Sequence, residues 1–262
     1  MDWVKLWQKI IVERRIKKPK NWDNEADKFS KISRGDEYRE NLFSKMKISK
    51  EDTILDLGCG EGSITIPLAK KAKNVTAIDS SKRMLEILES KCKNQSITNV
   101  KIIKEDLEDV TLDELGNYDI VLLSRSVSGI YKINETLSTI NNIANKYVYI
   151  TIFGPNNMKF EKDFYNLIGN EDFSFPPYDY LFNILINMEI YPNIENLEIK
   201  TISSYKSIED AMNNGKWNLD NLTKEEKNQL QDYLKKNLSK NKNGKLEHPD
   251  DKRDWILFWW KK

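Results

Sequence analysis

The residues best suited to chemistry lie in a glycine-rich turn. Residues 56–62 read DLGCGEG and follow a short apolar run, and the next apolar run ends in an acid, Asp79. Glycines let the chain turn tightly and let a ligand lie directly against the backbone. A helix that begins after such a turn presents unpaired N–H groups and a partial positive charge to the ligand. A carboxylate at Asp79 can accept hydrogen bonds from both hydroxyls of a ribose, so we expect a site for an adenosine-containing ligand.

The spacing of the glycines disfavours a dinucleotide as that ligand. The pyrophosphate fingerprint G-x-G-x-x-G, counted from Gly58 and Gly60, places its third glycine at Ser63, whereas this chain carries that glycine at Gly62. Asp56 precedes the first glycine by two residues, where it fits poorly beside a pyrophosphate and well beside a cationic amino group. The alternative interpretation is a tight strand–helix turn that binds no ligand.

Alternating strands and helices must position this turn. Apolar runs predict strands, and helical periodicity predicts helices between them. The strands are expected over 53–58, 74–79, 100–103, 118–123 and 147–153, and the helices over 64–71, 82–93 and 134–145. Ser80 or Ser81 is the expected N-cap of the second helix. Strands that alternate with helices of this length form right-handed βαβ units, so the predicted fold class is α/β with a parallel sheet.

Composition and charge argue against several classes of function. The 262 residues carry 42 basic and 41 acidic side chains, a net charge of +1, which disfavours a general affinity for nucleic acid. Cys59 and Cys92 offer neither a disulfide framework nor zinc spacing, so we expect reduced thiols, no metal site and a cytoplasmic location. The amphipathic N-terminus is unlike a signal peptide, and no stretch approaches the roughly 20 apolar residues of a membrane span, so no membrane partner is expected.

The stretch from about Trp22 to Tyr149 resembles the class I S-adenosylmethionine-dependent methyltransferases, in the broad group of small-molecule enzymes. Residues 53–62, TILDLGCGEG, match the first motif of that family, and residues 75–85 match the second. Residues 105–107 are similar to the third motif, and residues 118–121 match the fourth strand. The resemblance implies S-adenosylmethionine as cofactor. It also implies a Rossmann-like fold with a mostly parallel seven-stranded sheet and an antiparallel last strand.

On this basis the chain is divided into four parts. Residues 1–50 form an N-terminal helical segment or lid, and residues 51–154 form the S-adenosylmethionine-binding core. Residues 155–195 form a helical insertion expected to cap the acceptor. Residues 196–262 hold the last two strands of the sheet, joined by a hairpin with an inserted helix. This last part is predicted to contain a strand over 197–203, a polar helix over 224–238 and the antiparallel strand over 255–260.

The resemblance implies where the methionine end of the cofactor binds. Gly58, Cys59 and Gly60 would cradle it with their backbone, and Asp56 would bind its amino group. Ser124, at the end of the fourth strand, would border both the methionine moiety and the acceptor, together with the two residues that follow it.

The adenosine end is assigned in the same way. Asp79 would hold the ribose, with Ser80 and Met84 beside the adenine. Asp106 would accept a hydrogen bond from the adenine amino group, and Leu107 would lie against the ring. Two alternatives stay open, because Asp106 can equally be a helix cap and Met84 a core residue.

No catalytic residue is firmly assigned. Methyl transfer can proceed mainly by proximity and alignment of the nucleophile, so no general base is strictly required. The weak candidates are Tyr38, which could close over the cofactor with Arg34 or simply pack on the core, Arg125 beside the acceptor, and His248. Histidine has a suitable pKa, but a histidine in a polar loop is more often a surface residue.

Residues 175–178, FPPY, are similar to the N-P-P-Y motif of methyltransferases that act on exocyclic amino groups, but they lie far downstream of the fourth strand. We interpret them as a turn into a helix. The predicted function is methyl transfer to a small molecule by a monomer or homodimer. The alternatives are an RNA- or protein-modifying methyltransferase and a non-catalytic S-adenosylmethionine-binding protein.

Overall fold

The structure, a computed structural model, describes most of the chain and falls into two units. The described residues are 1–17, 21–31, 37–109, 115–169, 175–200, 202–215, 217, 219, 222–248, 251 and 253–262. The first unit comprises Met1–Phe153, Phe175–Leu197 and Trp255–Lys262, and the second comprises Gly154–Ser174 and Glu198–Asp254.

The strands form one large and one small sheet. In chain order they are β1 (Thr53–Leu57), β2 (Asn74–Asp79), β3 (Val100–Lys104), β4 (Tyr118–Ser124), β5 (Ala144–Phe153), β6 (Asn193–Ile199), β7 (Ser204–Tyr205), β8 (Ser239–Lys240), β9 (Leu246–Glu247) and β10 (Arg253–Lys261). The main sheet has the order β3-β2-β1-β4-β5-β10-β6, and the small sheet has the order β7-β9-β8. β1 to β5 pair in parallel, and β10 runs antiparallel to β5. This confirms the predicted fold, a mostly parallel seven-stranded sheet with an antiparallel last strand.

Helices connect and cover these strands. They are α1 (Trp3–Lys17), α2 (Trp22–Lys31), α3 (Glu37–Lys45), α4 (Thr65–Ala69), α5 (Lys82–Asn94), α6 (Ile133–Ile143), α7 (Lys159–Leu167), α8 (Tyr178–Asn187), α9 (Ile208–Asn214) and α10 (Lys224–Asn237). None of the helices in the described ranges is long and apolar enough to cross a bilayer.

The core of the first unit surrounds the middle of the main sheet. Parallel strands are buried on both faces, which explains the near-continuous apolar sequences of β1 and β4. Residues 54, 55 and 57 and residues 120–123 are almost completely buried. α1 joins this core through Trp7, whose indole N–H donates a hydrogen bond of 2.7 Å to the carbonyl of Ile130. The N-terminal helix is therefore part of the main core.

The second unit has its own core. Phe160 and Phe164 of α7 pack with Trp217 and with Leu230 and Leu234 of α10. The N-cap of α10 is Thr223, which forms a capping box with Glu226. The capping box satisfies backbone donors at the start of a helix that is otherwise polar, and thus stabilises it.

Two predictions for the C-terminal half differ from the structure. The strand expected over 197–203 spans Asn193–Ile199, so its boundary was placed four residues too late. The segment 155–195, expected as one insertion, is divided between the units. The physical reason is packing: Phe164 of α7 lies in the core of the second unit, whereas Leu181 and Ile184 of α8 lie in the core of the first.

Candidate functional site

Asp56 is a buried carboxylate at the end of β1. It is 1% exposed, and its Oδ2 accepts a hydrogen bond of 2.7 Å from the Thr65 hydroxyl. Its Oδ1 has no hydrogen-bond partner among the described residues. Burial raises the pKa of Asp56 to about 6, with a further upward contribution from Asp79 and opposing ones from Thr65 and Arg125. An unsatisfied buried carboxylate oxygen is costly and is suited to receive a cationic donor.

Gly58 and Gly60 serve different purposes in the turn after β1. The N–H groups of Gly58 and Cys59 both donate to the carbonyl of Ile78, at 2.8 and 3.0 Å. Gly58 has φ +77°, and a Cβ there would overlap the Cβ of Ser126, so packing requires this glycine. Gly60 has φ +54°, but a Cβ there would meet nothing nearer than the Met84 sulfur at 4.0 Å. The backbone at Gly60 thus borders open space, as a cradle for a ligand must.

Asp79 is fixed by the same turn. Its Oδ2 accepts a hydrogen bond of 2.8 Å from the Gly60 N–H, and its Oδ1 accepts one of 2.9 Å from the Ser81 N–H. Burial raises the pKa of Asp79, while these backbone hydrogen bonds lower it. Each carboxylate oxygen retains a further lone pair, so Asp79 can still accept hydrogen bonds from hydroxyl groups.

The N-terminus of α5 is held by α2. Ser81 is the N-cap, because its hydroxyl accepts a hydrogen bond of 3.1 Å from the Met84 N–H. The Ser81 hydroxyl donates to Asp23 at 2.6 Å, and the Arg83 N–H donates to the same carboxylate oxygen at 2.9 Å. Ser80 is exposed, and Met84 is buried below Gly60. Asp23 therefore fixes the start of α5 beside the glycine turn, a role that the sequence did not reveal.

Asp106 and Leu107 follow β3. Asp106 is exposed, and its Oδ1 accepts a hydrogen bond of 2.9 Å from the Glu108 N–H, so its carboxylate stabilises the local turn. Leu107 is half-buried against the main core and lies close to Gly58. Cys59 is buried, and burial raises the pKa of its thiol. Only its backbone is therefore suited to bind a ligand.

Tyr38 joins α3 to the ends of β4 and β5. Its hydroxyl forms hydrogen bonds with the hydroxyls of Ser124 at 2.8 Å and Thr151 at 2.7 Å. Burial raises the pKa of Tyr38, and its hydrogen bonds and the nearby Arg125 lower that pKa to a lesser degree. The phenol is thus neutral, buried and hydrogen-bonded, which suits a positioning residue better than a general base.

Arg125 lies directly after β4 with φ +63°, an unusual backbone conformation for a non-glycine residue. Its N–H donates to the Thr151 hydroxyl at 2.9 Å. Its guanidinium lies 4.3 Å from the centroid of the Tyr38 ring and 5.7 Å from that of Trp255. The Trp255 ring stacks on Phe153 at 4.5 Å. The carboxyl ends of β4 and β5 thus carry one cation among aromatic rings.

One catalytic candidate belongs to a different unit from the other two. His248 is half-buried in the second unit, where its ring stacks on Phe160 at 4.4 Å. Tyr38 and Arg125 belong to the first unit, with the residues of the glycine turn. Arg34 lies outside the described residues. In the described part of the chain, no group of three or more His, Cys, Asp or Glu side chains could hold a metal ion.

Three residues of this region were missed by the sequence reasoning. Thr65 binds Asp56, Thr151 positions both Tyr38 and Arg125, and Trp255 lies beside the guanidinium. Thr65 could have been found, because a hydroxyl residue at the start of the helix after a glycine turn can reach back to the strand end. Thr151 and Trp255 have no such local signal, because their partners are distant in the sequence.

Comparison with known proteins identifies the class of this fold and site. The family model for a methyltransferase domain matches residues 48–237. The chain therefore belongs to this family, and it is a class I S-adenosylmethionine-dependent methyltransferase. A precorrin-6y C5,15-methyltransferase from Geobacter metallireducens has a similar fold, with a TM-score of 0.52 and 12% identity over 88% of this chain and 90% of that one.

Relatives of known sequence match over very different lengths. An uncharacterized protein of Haemophilus influenzae is 26% identical over 92% of this chain and 89% of its own length. A protein of Methanocaldococcus jannaschii named "Probable cobalt-precorrin-6B C(15)-methyltransferase (decarboxylating)" is 38% identical over 30% of this chain and 43% of its own. The ribosomal RNA small subunit methyltransferase A of Desulforapulum autotrophicum is 38% identical over 25% of this chain and 23% of its own.

Proposed function

We propose that this protein transfers the methyl group of S-adenosylmethionine to a small-molecule acceptor. The observation that carries the cofactor assignment is the unsatisfied, buried Oδ1 of Asp56 beside the open backbone of Gly60. Together they provide a negative charge and a bare backbone surface, which the amino-acid end of the cofactor requires. A structural turn alone would leave no reason for a carboxylate oxygen buried without a partner.

The residues of the turn fit the rest of the cofactor. Asp79 would accept hydrogen bonds from the ribose hydroxyls, because its carboxylate is held in place by two backbone N–H groups. Met84 and Leu107 would contact the adenine, with Ser80 at its exposed side, and Asp106 would lie at the adenine edge. When bound, S-adenosylmethionine supplies a methyl carbon activated by its sulfonium.

The protein's contribution to the reaction is positioning. Tyr38 is neutral and fixes Ser124 and Thr151 through its hydroxyl, so the ends of β4 and β5 are held together next to the site. A rigid edge of this kind favours alignment of the acceptor atom with the methyl group, and alignment alone can supply much of the rate enhancement. We assign no general base.

The acceptor is proposed to be a small molecule with an apolar or aromatic part. Phe153, Phe175 and Trp255 are half-buried, and the Phe153 ring contacts those of Phe175 and Trp255, with centroids 4.4 and 4.5 Å apart. Such clusters bind small ligands through apolar contact, and α/β proteins bind their ligands at the carboxyl ends of the strands. The balanced charge of the chain gives no support for binding RNA through its phosphates.

An RNA acceptor is the second candidate, because one relative is named a ribosomal RNA methyltransferase. That match covers only 25% of this chain. A match this short supports a shared cofactor-binding core better than a shared acceptor.

The proposal is tested in two steps. Calorimetric titration should show micromolar binding of S-adenosylmethionine and S-adenosylhomocysteine and no binding of NAD. Asp79→Ala should abolish the binding of both adenosyl ligands. The protein is then incubated with methyl-labelled S-adenosylmethionine and a cell extract separated into small molecules, RNA and protein. Label in the small-molecule fraction, absent with Asp79→Ala, supports the proposal. Label confined to RNA or protein would overturn the assigned acceptor class.

A further inference from the structure

Arg125 is a half-buried cation that forms no ion pair with any carboxylate in the described part of the chain. Its guanidinium lies 4.3 Å from the centroid of the Tyr38 ring and 5.7 Å from that of Trp255. A guanidinium has five N–H donors, and their partial burial is costly unless an acceptor pairs with them. These donors are therefore suited to an anionic group of a ligand.

The backbone of Arg125 is held in a costly conformation that fixes the position of this charge. Its φ of +63° is unfavourable for a residue other than glycine, and such strain is typical of functional sites. Thr151 holds both parts of the arrangement, because its hydroxyl accepts a hydrogen bond from the Arg125 N–H at 2.9 Å and bonds the Tyr38 hydroxyl at 2.7 Å. Because the cation and the ring beneath it are fixed in advance, little conformational entropy is lost when a ligand binds.

Trp255 joins this cation to an apolar surface. Its ring lies 5.5 Å from the Tyr38 ring and stacks on Phe153 at 4.5 Å, and the Phe175 ring meets Phe153 at 4.4 Å. Phe153, Phe175 and Trp255 are all half-buried and belong to the first unit. A ligand that matches this surface has an anionic group for Arg125 and an apolar or aromatic body for the rings. A neutral ligand would cover the rings and leave the guanidinium without an acceptor.

The charge of the site selects a carboxylate as that anionic group. Over the rings of Tyr38 and Trp255, Arg125 is the one cation that the described ranges supply. A carboxylate carries one negative charge and matches the planar fork of a guanidinium through two hydrogen bonds. A phosphate monoester carries up to two charges at neutral pH, and the second would have no partner in this apolar surrounding.

We propose that the methyl acceptor is an apolar or aromatic carboxylic acid whose carboxylate binds to Arg125. This inference rests on the proposed function and names the acceptor class. Arg125 is the residue that determines specificity, Tyr38 positions it, and Trp255 contacts the body of the acceptor. The methyl group goes to another atom of that molecule, so the product keeps its carboxylate.

The test sorts acceptors by charge before they meet the enzyme. The small-molecule fraction of a cell extract is separated at pH 8 by ion exchange into acidic, neutral and basic pools. Each pool is incubated with the full chain and methyl-labelled S-adenosylmethionine, and Asp79→Ala serves as the blank. Label should appear in the acidic pool. The labelled product should be retained on a reversed-phase column at pH 2 and released at pH 7, because a carboxyl group with a pKa of about 4 ionises between these values.

Variants of Arg125 test the residue itself. Arg125→Gln should raise the amount of acidic pool needed for half-maximal rate by about 10- to 100-fold, as expected for loss of a charge-assisted hydrogen bond. Its affinity for S-adenosylhomocysteine, measured by calorimetry, should stay that of the wild type. Arg125→Lys should restore part of the acceptor affinity. Lys50→Gln removes the same charge from an exposed position before β1 and should behave as the wild type. Thermal unfolding of each variant shows that it is folded.

The possible results separate this inference from the proposed function. Absence of label from all three pools would overturn the proposed function, and this inference with it. Label in the neutral or basic pool, or a product whose retention is the same at pH 2 and pH 7, would overturn only the acceptor class. An Arg125→Gln variant that loses affinity for S-adenosylhomocysteine, or that keeps the acceptor affinity of the wild type, would overturn the role given to Arg125. The sorting of pools uses the wild type, so it stands even where a variant fails to fold.

Discussion

Replacing Asp56 by asparagine should stabilise the ligand-free protein at neutral pH. Burial raises the pKa of Asp56 from 3.8 to about 6. Because the folded-state pKa lies above that of the unfolded chain, the folded state binds the proton more tightly, and ionisation costs stability. A pKa difference of about two corresponds to roughly 3 kcal/mol, which develops between about pH 4 and pH 6 and is complete above that range.

The stability gained by Asp56→Asn is smaller than the ionisation cost that the substitution removes. Asparagine can still accept the hydrogen bond from Thr65, but its buried amide N–H group adds an unsatisfied donor that costs about 1–3 kcal/mol. We therefore expect Asp56→Asn to raise the free energy of unfolding by up to about 2 kcal/mol at pH 8. For a chain of this size that is a rise in Tm of up to about 8 °C. The same variant should lose cofactor affinity, so that stability and function change in opposite directions.

The assay is thermal unfolding without ligand between pH 5 and pH 8. The matched control is Asp119→Asn, because hydrogen bonds from Thr53 and Lys146 outweigh the opposing effect of burial and lower the pKa of Asp119. A lowered pKa means that ionised Asp119 contributes stability above the unfolded-state pKa, so Asp119→Asn should lower Tm across this whole range. The gain in Asp56→Asn should shrink as pH falls towards 5. A loss of Tm in Asp56→Asn at pH 8, or a gain independent of pH, would show that ionised Asp56 does not destabilise the folded protein.

Three further predictions concern the site and the second unit. Gly60→Ala should cost about 1 kcal/mol of stability, because Gly60 has a positive φ, and calorimetry should show S-adenosylhomocysteine binding weakened at least tenfold. The control is Gly116→Ala, at φ +69° with no atom within 4 Å of the added Cβ, which should show only the stability loss in thermal unfolding. The affinity for S-adenosylhomocysteine should fall below about pH 6 by up to tenfold per pH unit as Asp56 takes up a proton, and titrations of Asp56→Asn should show no such slope. Phe164→Ala should lower the free energy of unfolding of the second unit by about 3–5 kcal/mol in denaturant titrations and leave the affinity for S-adenosylhomocysteine unchanged. A comparable loss of binding free energy in the folded variant would contradict the assignment of every cofactor residue to the first unit.

The parts of the fold that sequence predicts well are those with local causes. β1 and β4 are apolar because both of their faces are buried. Their apolar runs are recognised from neighbouring residues alone. The glycine turn and Asp79 were predicted for the same reason, since a turn and the strand ends beside it depend on neighbouring residues. The start of α5 was predicted to within one residue, because capping is a property of Ser81 and its own helix.

The parts that sequence predicted poorly depend on distant partners. β6 was misplaced because it lies at the edge of the sheet, where only Leu197 is buried and the apolar pattern is weak. No local sequence pattern shows that α7 packs in the core of the second unit and α8 in the core of the first. The environment of Arg125 combines Tyr38, Thr151 and Trp255, and no pattern in the sequence brings these residues together.

The position of β10 has a consequence for the order in which the chain folds. In the main sheet β10 lies between β5 and β6, although it is the last strand in the chain. All the residues assigned to the cofactor precede residue 126, so a growing chain carries all of them well before the sheet can close. Until residues 253–261 emerge, β5 presents an unpaired edge that can pair with other chains. The final strand therefore ends the stage at which this protein is most exposed to aggregation, and a chain truncated before β10 should aggregate although it retains every residue assigned to the cofactor.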